Sequence, residues 1–454
     1  MSRLSVPMTV LFSAGMLVCA CNTNENRDDE ADTVQTGDTV AGSDTATAGD
    51  TTTADSTSGK PEYTPVCTVD ADCSGGKSCV TGVCVVPPTE SAVLSDPTKD
   101  NLPSPETVLE LGCVGVSVAD QLKGKTGPAT VTMWGRVDRF GGGGVTVNVQ
   151  VDVFKRADFH PEKCNSDKCL LIDDELARDE CMAEVLTCLQ DPAKVGTPIA
   201  TTVSIDPDNA AASGLDVQAE HKGGELCLKG KHLTCPSGYE CRKGESGDTE
   251  CIRTHGIYAV ENVPTGESLV VRVRGLDAKA KWYDSYYWDL VVFPDRADVT
   301  GASTQPSKYA GKDTFRFNPT IVGQGQWTLV PNTMGLNDIR YGYGVIGGRI
   351  RDCGKADGRG GWPIHKATVG LGVAAQGIAY FNDNEDDTVP VKTRIYTDTL
   401  GRFAAVDVPP GPNRLAAMAK VGNEIKALGG QDVYVVPNSL TIISTPGRIP
   451  VLSK

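Results

Sequence analysis

The sequence predicts a mainly β protein with two β-sandwich units, a disulfide-rich insertion that contains one short helix, and a disordered N-terminal tether. Three observations indicate this fold class. Glycine and proline supply 50 and 27 of the 454 residues, which is a turn-rich composition. Segments in which apolar and polar residues alternate recur along the chain, as expected of half-buried strands. Sixteen cysteines are present, and all but two fall into small even groups.

The first 20 residues have the pattern of a signal peptide. Arg3 provides the positive start, and the following run from Leu4 to Val18 is almost uncharged and mostly apolar. Such a run is too short to act comfortably as a permanent membrane span. The small residues before Cys21 resemble the bacterial lipobox, in which the cysteine is lipidated and becomes the first mature residue. Three acyl chains would then give stable membrane anchorage. The alternative is an ordinary signal peptide that is cut near Ala20.

Residues 21–64 are predicted to form a disordered tether rich in Asp, Thr, Gly and Ala. Ten acidic and two basic residues lie between positions 22 and 64, so this part supplies −8 of the net charge of −15. It has too little apolar surface to offset chain entropy on folding. A lipid followed by such a tether predicts a spacer, with an acidic interaction tail as the alternative. The overall acidic excess argues against a nucleic-acid partner, which would require a basic face.

Without Cys19 and Cys21, fourteen cysteines remain as disulfide candidates. They form three groups of four and one pair: Cys67, Cys73, Cys79 and Cys84; Cys164, Cys169, Cys181 and Cys188; Cys227, Cys235, Cys241 and Cys251; and Cys113 with Cys353. Even groups behind an export signal predict disulfides formed outside the cytoplasm. Zinc binding is the rival interpretation, but the chain contains no CxxC pair of the kind that zinc knuckles use.

The first two cysteine groups predict specific local structures. Residues 65–86 are expected to form a small module in which disulfides compensate for a missing core. The second group lies in the insertion, where residues 173–190 combine helix formers, acids in the first turn and a following Asp-Pro stop. On that helix Cys181 and Cys188 would be about 10 Å apart along the axis, so they cannot pair with each other. Their expected partners are Cys164 and Cys169, in a nested or crossed arrangement.

Alternating strand patterns flank the insertion and recur near the C-terminus. Residues 129–137 and 145–154 alternate, and the second of these runs has valine at every second position. After the insertion, a glycine-aromatic segment ends in Val-Pro-Thr-Gly at Gly266 and leads into a further alternating run. The same order recurs at the C-terminus, where Val-Pro-Pro-Gly ends at Gly411 and an apolar run follows. Proline and glycine at these positions predict tight turns between adjacent antiparallel strands.

These two regions resemble the carboxypeptidase regulatory-like, or transthyretin-like, β-sandwich family. The resemblance is compact over about residues 344–424, whereas the first region matches only at its two ends. It implies a first unit over 106–300 with the insertion at 157–254, a connecting segment at 301–340 and a second unit over 341–454. It also implies a binding or spacing role. The cysteine module is similar to those of exported myxobacterial-type proteins, so the whole chain resembles a lipoprotein of that type.

The sequence contains no recognised catalytic motif. None of its five histidines forms HExxH, and no GxSxG elbow is present, so we predict a non-enzyme without a cofactor. An unrecognised exported hydrolase, using His160, Glu162 or His255, is the alternative. A weak calcium candidate consists of Asp383, Asp386 and Asp387, but the loop lacks the glycine and glutamate of an EF-hand. A solvated loop without metal is therefore the preferred interpretation.

Six of the 26 aromatic residues lie between positions 282 and 293. A strand in this region would place Trp282, Tyr286 and Trp288 on one face, with Tyr283 and Tyr287 on the other. Exposed rings could stack on sugars, which makes the first three residues candidate ligand-binding residues. Buried rings would instead fill a sandwich core, and the apolar run that follows favours this second interpretation.

These features predict a non-catalytic cell-envelope lipoprotein that acts as a binding or scaffolding module. Carbohydrate binding is its sharpest form, and a hydrolase or a purely structural spacer are the alternatives. The expected partners are the membrane, through the lipid, and an envelope polysaccharide or protein. Asn22 at the second mature position resembles lipoproteins sent to the outer membrane, so we expect the lipid anchor to lie there.

Overall fold

The computed structural model describes most of the chain beyond the predicted tether. The described residues are 63–96, 102–103, 109–140, 146–205, 239–243, 249–253, 256–276, 282–295, 313–354, 361–383 and 389–445. The predicted signal peptide, Cys21 and nearly all of the tether therefore lie outside the described residues. The described part is mainly β, as predicted, and contains several sheets and few helices. None of its helices is long and apolar enough to span a membrane.

The strands of the described part are short at the N-terminus and longer towards the C-terminus. In chain order they are β1 Ser78–Val80, β2 Val83–Val85, β3 Val93–Asp96, β4 Leu102–Pro103, β5 Thr130–Arg136, β6 Asp138–Arg139, β7 Val149–Lys155, β8 Ala200–Val203, β9 Tyr239–Lys243, β10 Thr249–Arg253, β11 Ile257–Pro264, β12 Ser268–Gly275, β13 Trp282–Val291, β14 Thr314–Arg316, β15 Thr320–Gly323, β16 Gly344–Ile350, β17 Ile364–His365, β18 Thr368–Leu371, β19 Gly377–Tyr380, β20 Arg402–Val408, β21 Gly411–Val421, β22 Glu424–Val435 and β23 Ser439–Thr445. The helices are α1 Val118–Leu122, α2 Asp167–Leu170, α3 Glu175–Cys188, α4 Pro192–Val195 and α5 Gln324–Met334, with single 3-10 turns at Asp70–Asp72, Arg156–Asp158 and Pro161–Lys163.

The first β-sandwich consists of two sheets around one apolar core. In one sheet β5 lies between antiparallel β11 and parallel β14, and in the other β12 lies between β7 and β13. Alternate valines of β7, at positions 149, 151 and 153, face this core. The strand begins at Val149 and not at position 145 as predicted, because Asn148 has a left-handed φ of 59° that interrupts the extended backbone.

The second β-sandwich repeats the topology of the first. Here β16 lies between antiparallel β20 and parallel β23, while β21 lies between β18 and β22. The Val-Pro-x-Gly motif connects equivalent strands in the two units, β11 to β12 and β20 to β21. The residue before each motif, Asn262 or Asp407, has a positive φ of 62° or 58° at a β-bulge. Asn and Asp tolerate this conformation better than most residues, which gives the repeat a backbone cause.

The two sandwiches share one continuous sheet. Strand β23 pairs in parallel with β16 of the second unit and with β13 of the first unit. The strand order is therefore β19-β20-β16-β23-β13-β12-β7-β8, and backbone hydrogen bonds cross the boundary between the units. The predicted connecting segment 301–340 also differs from expectation. It supplies β14, which pairs with β5, and β15, which pairs with β13. Both strands therefore extend sheets of the first unit.

The four-cysteine module packs on the second unit, although it precedes the first unit in the chain. Val80, Val83 and Val85 of the module form an apolar cluster with Ala416 and Met418 of β21, and Tyr63, just before the module, joins this cluster. Tyr63, which the sequence placed in the tether, is thus part of the folded protein. Strand β3 follows the module and pairs with β17 of the second unit. The segment before the first unit therefore belongs to the second unit. The first unit is therefore an insertion between two parts of the second.

Five disulfides are present in the described residues: Cys67–Cys79, Cys73–Cys84, Cys113–Cys353, Cys164–Cys188 and Cys169–Cys181. The second group adopts the nested arrangement, and α3 lies inside the predicted helix. Cys241 and Cys251 occupy opposite positions in the β9–β10 hairpin. Cys227 and Cys235 lie outside the described residues.

Removal of the long-range disulfide is expected to destabilise the protein by about 4 kcal/mol, because a cross-link that closes a long loop strongly restricts the unfolded chain. Cys113 and Cys353 are 240 residues apart in the sequence. Urea unfolding of the C113A/C353A variant would measure the loss. The C164A/C188A variant, which opens a separation of 24 residues, is the control with a smaller expected loss. A smaller effect at Cys113–Cys353 than in this control would contradict the prediction.

Candidate functional site

The aromatic strand β13 belongs to the protein core. Tyr286 is only 2% exposed and Trp288 is fully buried. The Trp288 ring packs against Phe159 and Tyr434, with centroids 5.6 and 6.5 Å away. Both residues belong to the apolar cluster that also contains the buried side chains of α3. These two rings therefore fill the core, which is the interpretation that the following apolar run favoured, and they lack the exposed face that sugar stacking requires.

Trp282 does not share the face of Tyr286 and Trp288 as the simple alternation predicted. It packs with the core of the first sandwich, and its indole lies directly over Gly275 of β12. A Cβ atom on Gly275 would come within 2.1 Å of the indole, so only glycine fits below the ring. The guanidinium of Arg139 lies over the same ring, 5.6 Å from its centroid. Trp282 therefore acts as a packing residue at the start of β13.

One residue of the weak calcium candidate, Asp383, is paired with an arginine. The carboxylate of Asp383 accepts hydrogen bonds from Nη1 and Nη2 of Arg394, at 3.0 and 2.7 Å, and from the Thr399 backbone N–H at 3.0 Å. Burial by itself would raise the pKa of Asp383, but these hydrogen bonds outweigh it and the pKa is lowered. Asp386 and Asp387 lie outside the described residues. Asp383 is therefore held as an arginine partner, which opposes its use as a calcium ligand.

One group of cysteine sulfurs is close enough to resemble a metal site. The Sγ atoms of Cys67, Cys73 and Cys84 lie within 4.8 Å of one another. All three belong to disulfides of the N-terminal module. Zinc requires thiolates, so oxidised sulfurs in this arrangement do not provide a zinc site.

The histidine of the hydrolase alternative contacts its neighbouring carboxylate. His160 Nδ1 lies 2.9 Å from Glu162 Oε1, at the single turn Pro161–Lys163. A carboxylate that orients an imidazole is one part of a nucleophilic catalytic set. Within the described residues, no serine, threonine or cysteine side chain is hydrogen-bonded to His160, and the nearby Cys164 is in a disulfide. His255 lies outside the described residues.

A buried ion pair fastens the insertion to the sheet. Arg272 of β12 donates from Nε and Nη2 to Asp152 Oδ2 of β7, at 3.0 and 2.8 Å. Its Nη1 donates to the carbonyl oxygen of Leu189, directly after α3, at 3.2 Å. Gln150 and Thr201 donate to the other oxygen of Asp152. This network could not be predicted from the sequence, because an arginine and an aspartate on strands far apart in the chain leave no local pattern.

Asp284 lies beside this ion pair on the same sheet. It precedes Ser285, which pairs with Val273 of β12. Burial raises the pKa of Asp284 to about 6, while the positive charges of Arg272 and Arg274 oppose the shift. This carboxyl group consequently changes its charge close to neutral pH.

The stability that depends on Asp284 is expected to fall as the pH rises. The folded-state pKa of about 6 exceeds the ordinary value of 3.8, so this contribution is fully present below pH 4 and is lost by pH 6 to 7. The Asp284→Asn variant should be more stable than the parent by about 1–2 kcal/mol at pH 7. This value is lower than the full pKa shift implies, because the Asp284 side chain is only half-buried and water screens its charge. At pH 3.5 the two should be equal. Urea unfolding at both pH values measures this, and a pH-independent difference would contradict it.

The outer surface of the insertion is the remaining candidate functional surface. Helix α3 buries Met182 and Val185 against the sheet and turns its opposite side to solvent. Two leucines and several carboxylates occupy that side and the loop before it. We call this the insertion surface, and it comprises Leu171, Asp173, Glu175, Leu176 and Glu180.

No family model matches the chain, and no curated protein sequence matches it. A streptococcal ancillary pilin is 12% identical over 70% of this chain, with a TM-score of 0.14, and the chain spans 63% of the length of that pilin. The shaft pilin SpaA from Lactobacillus rhamnosus GG is 11% identical, with 70% of this chain and 97% of that chain covered and a TM-score of 0.14. A leucine-rich repeat protein from Bacteroides thetaiotaomicron is 8% identical over 72% of this chain and 27% of its own, with a TM-score of 0.15. Likeness at these TM-scores carries no argument about function.

Proposed function

We propose that this protein is a non-catalytic, lipid-anchored component of the cell envelope that acts as a binding or scaffolding module. The observation that supports the proposal most directly is the shared sheet. Strand β23 joins both sandwiches through backbone hydrogen bonds, and Cys113–Cys353 links them covalently. A platform of this kind holds the surfaces of the two sandwiches in a fixed position relative to each other. The disulfides favour a location outside the cytoplasm.

The anchor itself rests on the sequence before the tether. The lipobox-like residues before Cys21 support lipidation, and the acidic segment that follows supports a spacer role. Asn22 favours the outer membrane. An anchored module would bind an envelope polysaccharide or protein. Because Trp288 and Tyr286 are buried, polysaccharide binding would have to use another surface.

Lipidation is tested by replacing Cys21 with serine in the full chain. We expect the Cys21→Ser variant to lose incorporation of a labelled fatty acid and to leave the membrane fraction, whereas the parent keeps both. Cys19→Ser is a matched control, because Cys19 would depart with the leader and its loss should change neither readout. Density separation of the two membranes then locates the anchored parent. Labelling that persists in Cys21→Ser, or membrane association without a lipid, would overturn the proposed anchor.

The His160–Glu162 contact supports a second candidate, an exported hydrolase. Turnover of peptide, ester or glycoside substrates by the purified protein, lost in His160→Ala with unchanged thermal unfolding, would establish that alternative. The scaffolding proposal expects no turnover in either protein. Retention of the full chain on purified peptidoglycan or envelope polysaccharide would support the binding form of the proposal. If the protein is anchored but is retained on neither material, the remaining roles are binding of a protein partner and a purely structural spacer.

A further inference from the structure

The two most exposed large apolar side chains in the described part of the chain are only five residues apart in the sequence. Leu171 is 84% exposed and Leu176 is 71% exposed. Isolated apolar side chains at a surface are ordinary. These two leucines, however, lie in one short segment that the Cys169–Cys181 disulfide closes, with Leu171 in the loop before α3 and Leu176 in the first turn of that helix. Clustered exposed apolar residues of this kind mark interaction sites more often than isolated ones do.

Several contacts hold this loop in place. Cys164–Cys188 encloses the inner disulfide, and Asp174 Oδ1 accepts a hydrogen bond from the Ala177 backbone N–H at 2.8 Å to cap α3. At the other end of the helix, Arg272 donates to the Leu189 carbonyl oxygen. The leucines are therefore presented by a stapled element. Pre-organisation of this type reduces the conformational entropy lost on binding.

Exposed acidic residues outnumber exposed basic ones in the segment that carries the two leucines, where Lys168 is the exposed base. Asp173, Glu175 and Glu180 are exposed, and none of them forms an ion pair with another described residue. Asp174 and Glu184 add further exposed acidic side chains, whereas Arg178 is only partly exposed. The surface thus has apolar anchors within a negative rim. A second copy of this chain, with its net charge of −15, or an anionic bilayer would be repelled from that rim.

We propose that the insertion surface docks a partner protein through a segment of that partner that combines apolar side chains with lysine or arginine. This rests on the proposed function, because it names the surface through which the anchored module would bind. Leu171 and Leu176 would enter apolar pockets of the partner. The carboxylates would attract its basic residues and select against acidic ones, so that binding weakens with salt.

The test uses the full mature protein and two model peptides. One is a 20-residue amphipathic helix of leucine and lysine, and the other is its leucine and glutamate counterpart. Fluorescence anisotropy at 50 and 500 mM NaCl should show binding of the lysine peptide that weakens at least tenfold at high salt, with no binding of the glutamate peptide. Failure of the lysine peptide to bind would overturn the docking surface, whereas the Cys21 experiment would still stand.

Matched variants separate this surface from the acidic tether. The L171S/L176S variant leaves the charge unchanged and should weaken peptide binding at least tenfold. The L276S/L329S variant changes two partly exposed leucines elsewhere, 48% and 46% exposed, and should bind as the parent does. Equal binding by all three proteins would overturn the proposal. So would a change of oligomeric state in L171S/L176S by sedimentation, which indicates a second copy, or loss of binding to anionic vesicles, which indicates a bilayer.

Discussion

Replacement of Arg272 by methionine is expected to lower the free energy of unfolding by about 3–5 kcal/mol, because it leaves the buried carboxylate of Asp152 without its charged partner. Methionine keeps most of the apolar stem, so the loss reports the missing charge more than a cavity. It also removes the donor to the Leu189 carbonyl oxygen at the end of α3. Urea unfolding measures the stability, and the rate of proteolysis within the insertion measures how firmly α3 stays docked.

The double variant Arg272→Met, Asp152→Leu is the control for this prediction. It removes both buried charges, so we expect it to regain much of the stability that the single variant loses. The donors Gln150 and Thr201, which both contact Asp152, remain near the protein surface and can reach water. A double variant as unstable as Arg272→Met would contradict the unpaired-charge explanation. The contact to α3 would then be the main contribution of Arg272.

Replacement of Trp288 by alanine is expected to cost about 3–5 kcal/mol, as for other large aromatic residues in close-packed cores. The indole is fully buried and packs between Phe159 and Tyr434. The guanidinium of Arg156, in the turn directly after β7, also lies 4.8 Å from its ring centroid, so this contact would be lost too. A sharp drop in the urea midpoint is the expected observation.

Tyr341→Ala is the matched control for the tryptophan variant. Tyr341 is an exposed aromatic residue elsewhere in the described part of the chain, and its removal should change stability by about 0.5 kcal/mol or less. A Trp288→Ala protein that unfolds at the same urea concentration as the parent would contradict the buried position of this ring. It would also reopen the sugar-binding interpretation of β13.

The elements that the sequence predicted correctly are those with local causes. The helix at 173–190 was predictable because its helix formers, acidic first turn and Asp-Pro stop all act within one segment, and α3 spans Glu175–Cys188. The alternating runs became β5, β7 and β12 because alternation is a property of a single strand. The two Val-Pro-x-Gly turns recur for the same reason.

The candidate sites show where this local reasoning ends. The pattern of β13 predicted a strand, but the burial of Tyr286 and Trp288 depends on an insertion that precedes it by many residues. The cysteine count predicted Cys113 with Cys353, since no other partner remained in the grouping. The same count left nested and crossed pairing open for the second group. The folded chain decides between them, because it brings Cys188 to Cys164 and Cys181 to Cys169.

The sequence predicted the mainly β class, the helix, the repeated turn motif and the cysteine groups, because each depends on residues that are close together in the chain. It did not predict that β23 joins the two sandwiches, that the cysteine module packs on the second unit or that Arg272 contacts the end of α3. Strand edges and buried charges can be satisfied by many partners. The three-dimensional arrangement of distant segments selects one of them.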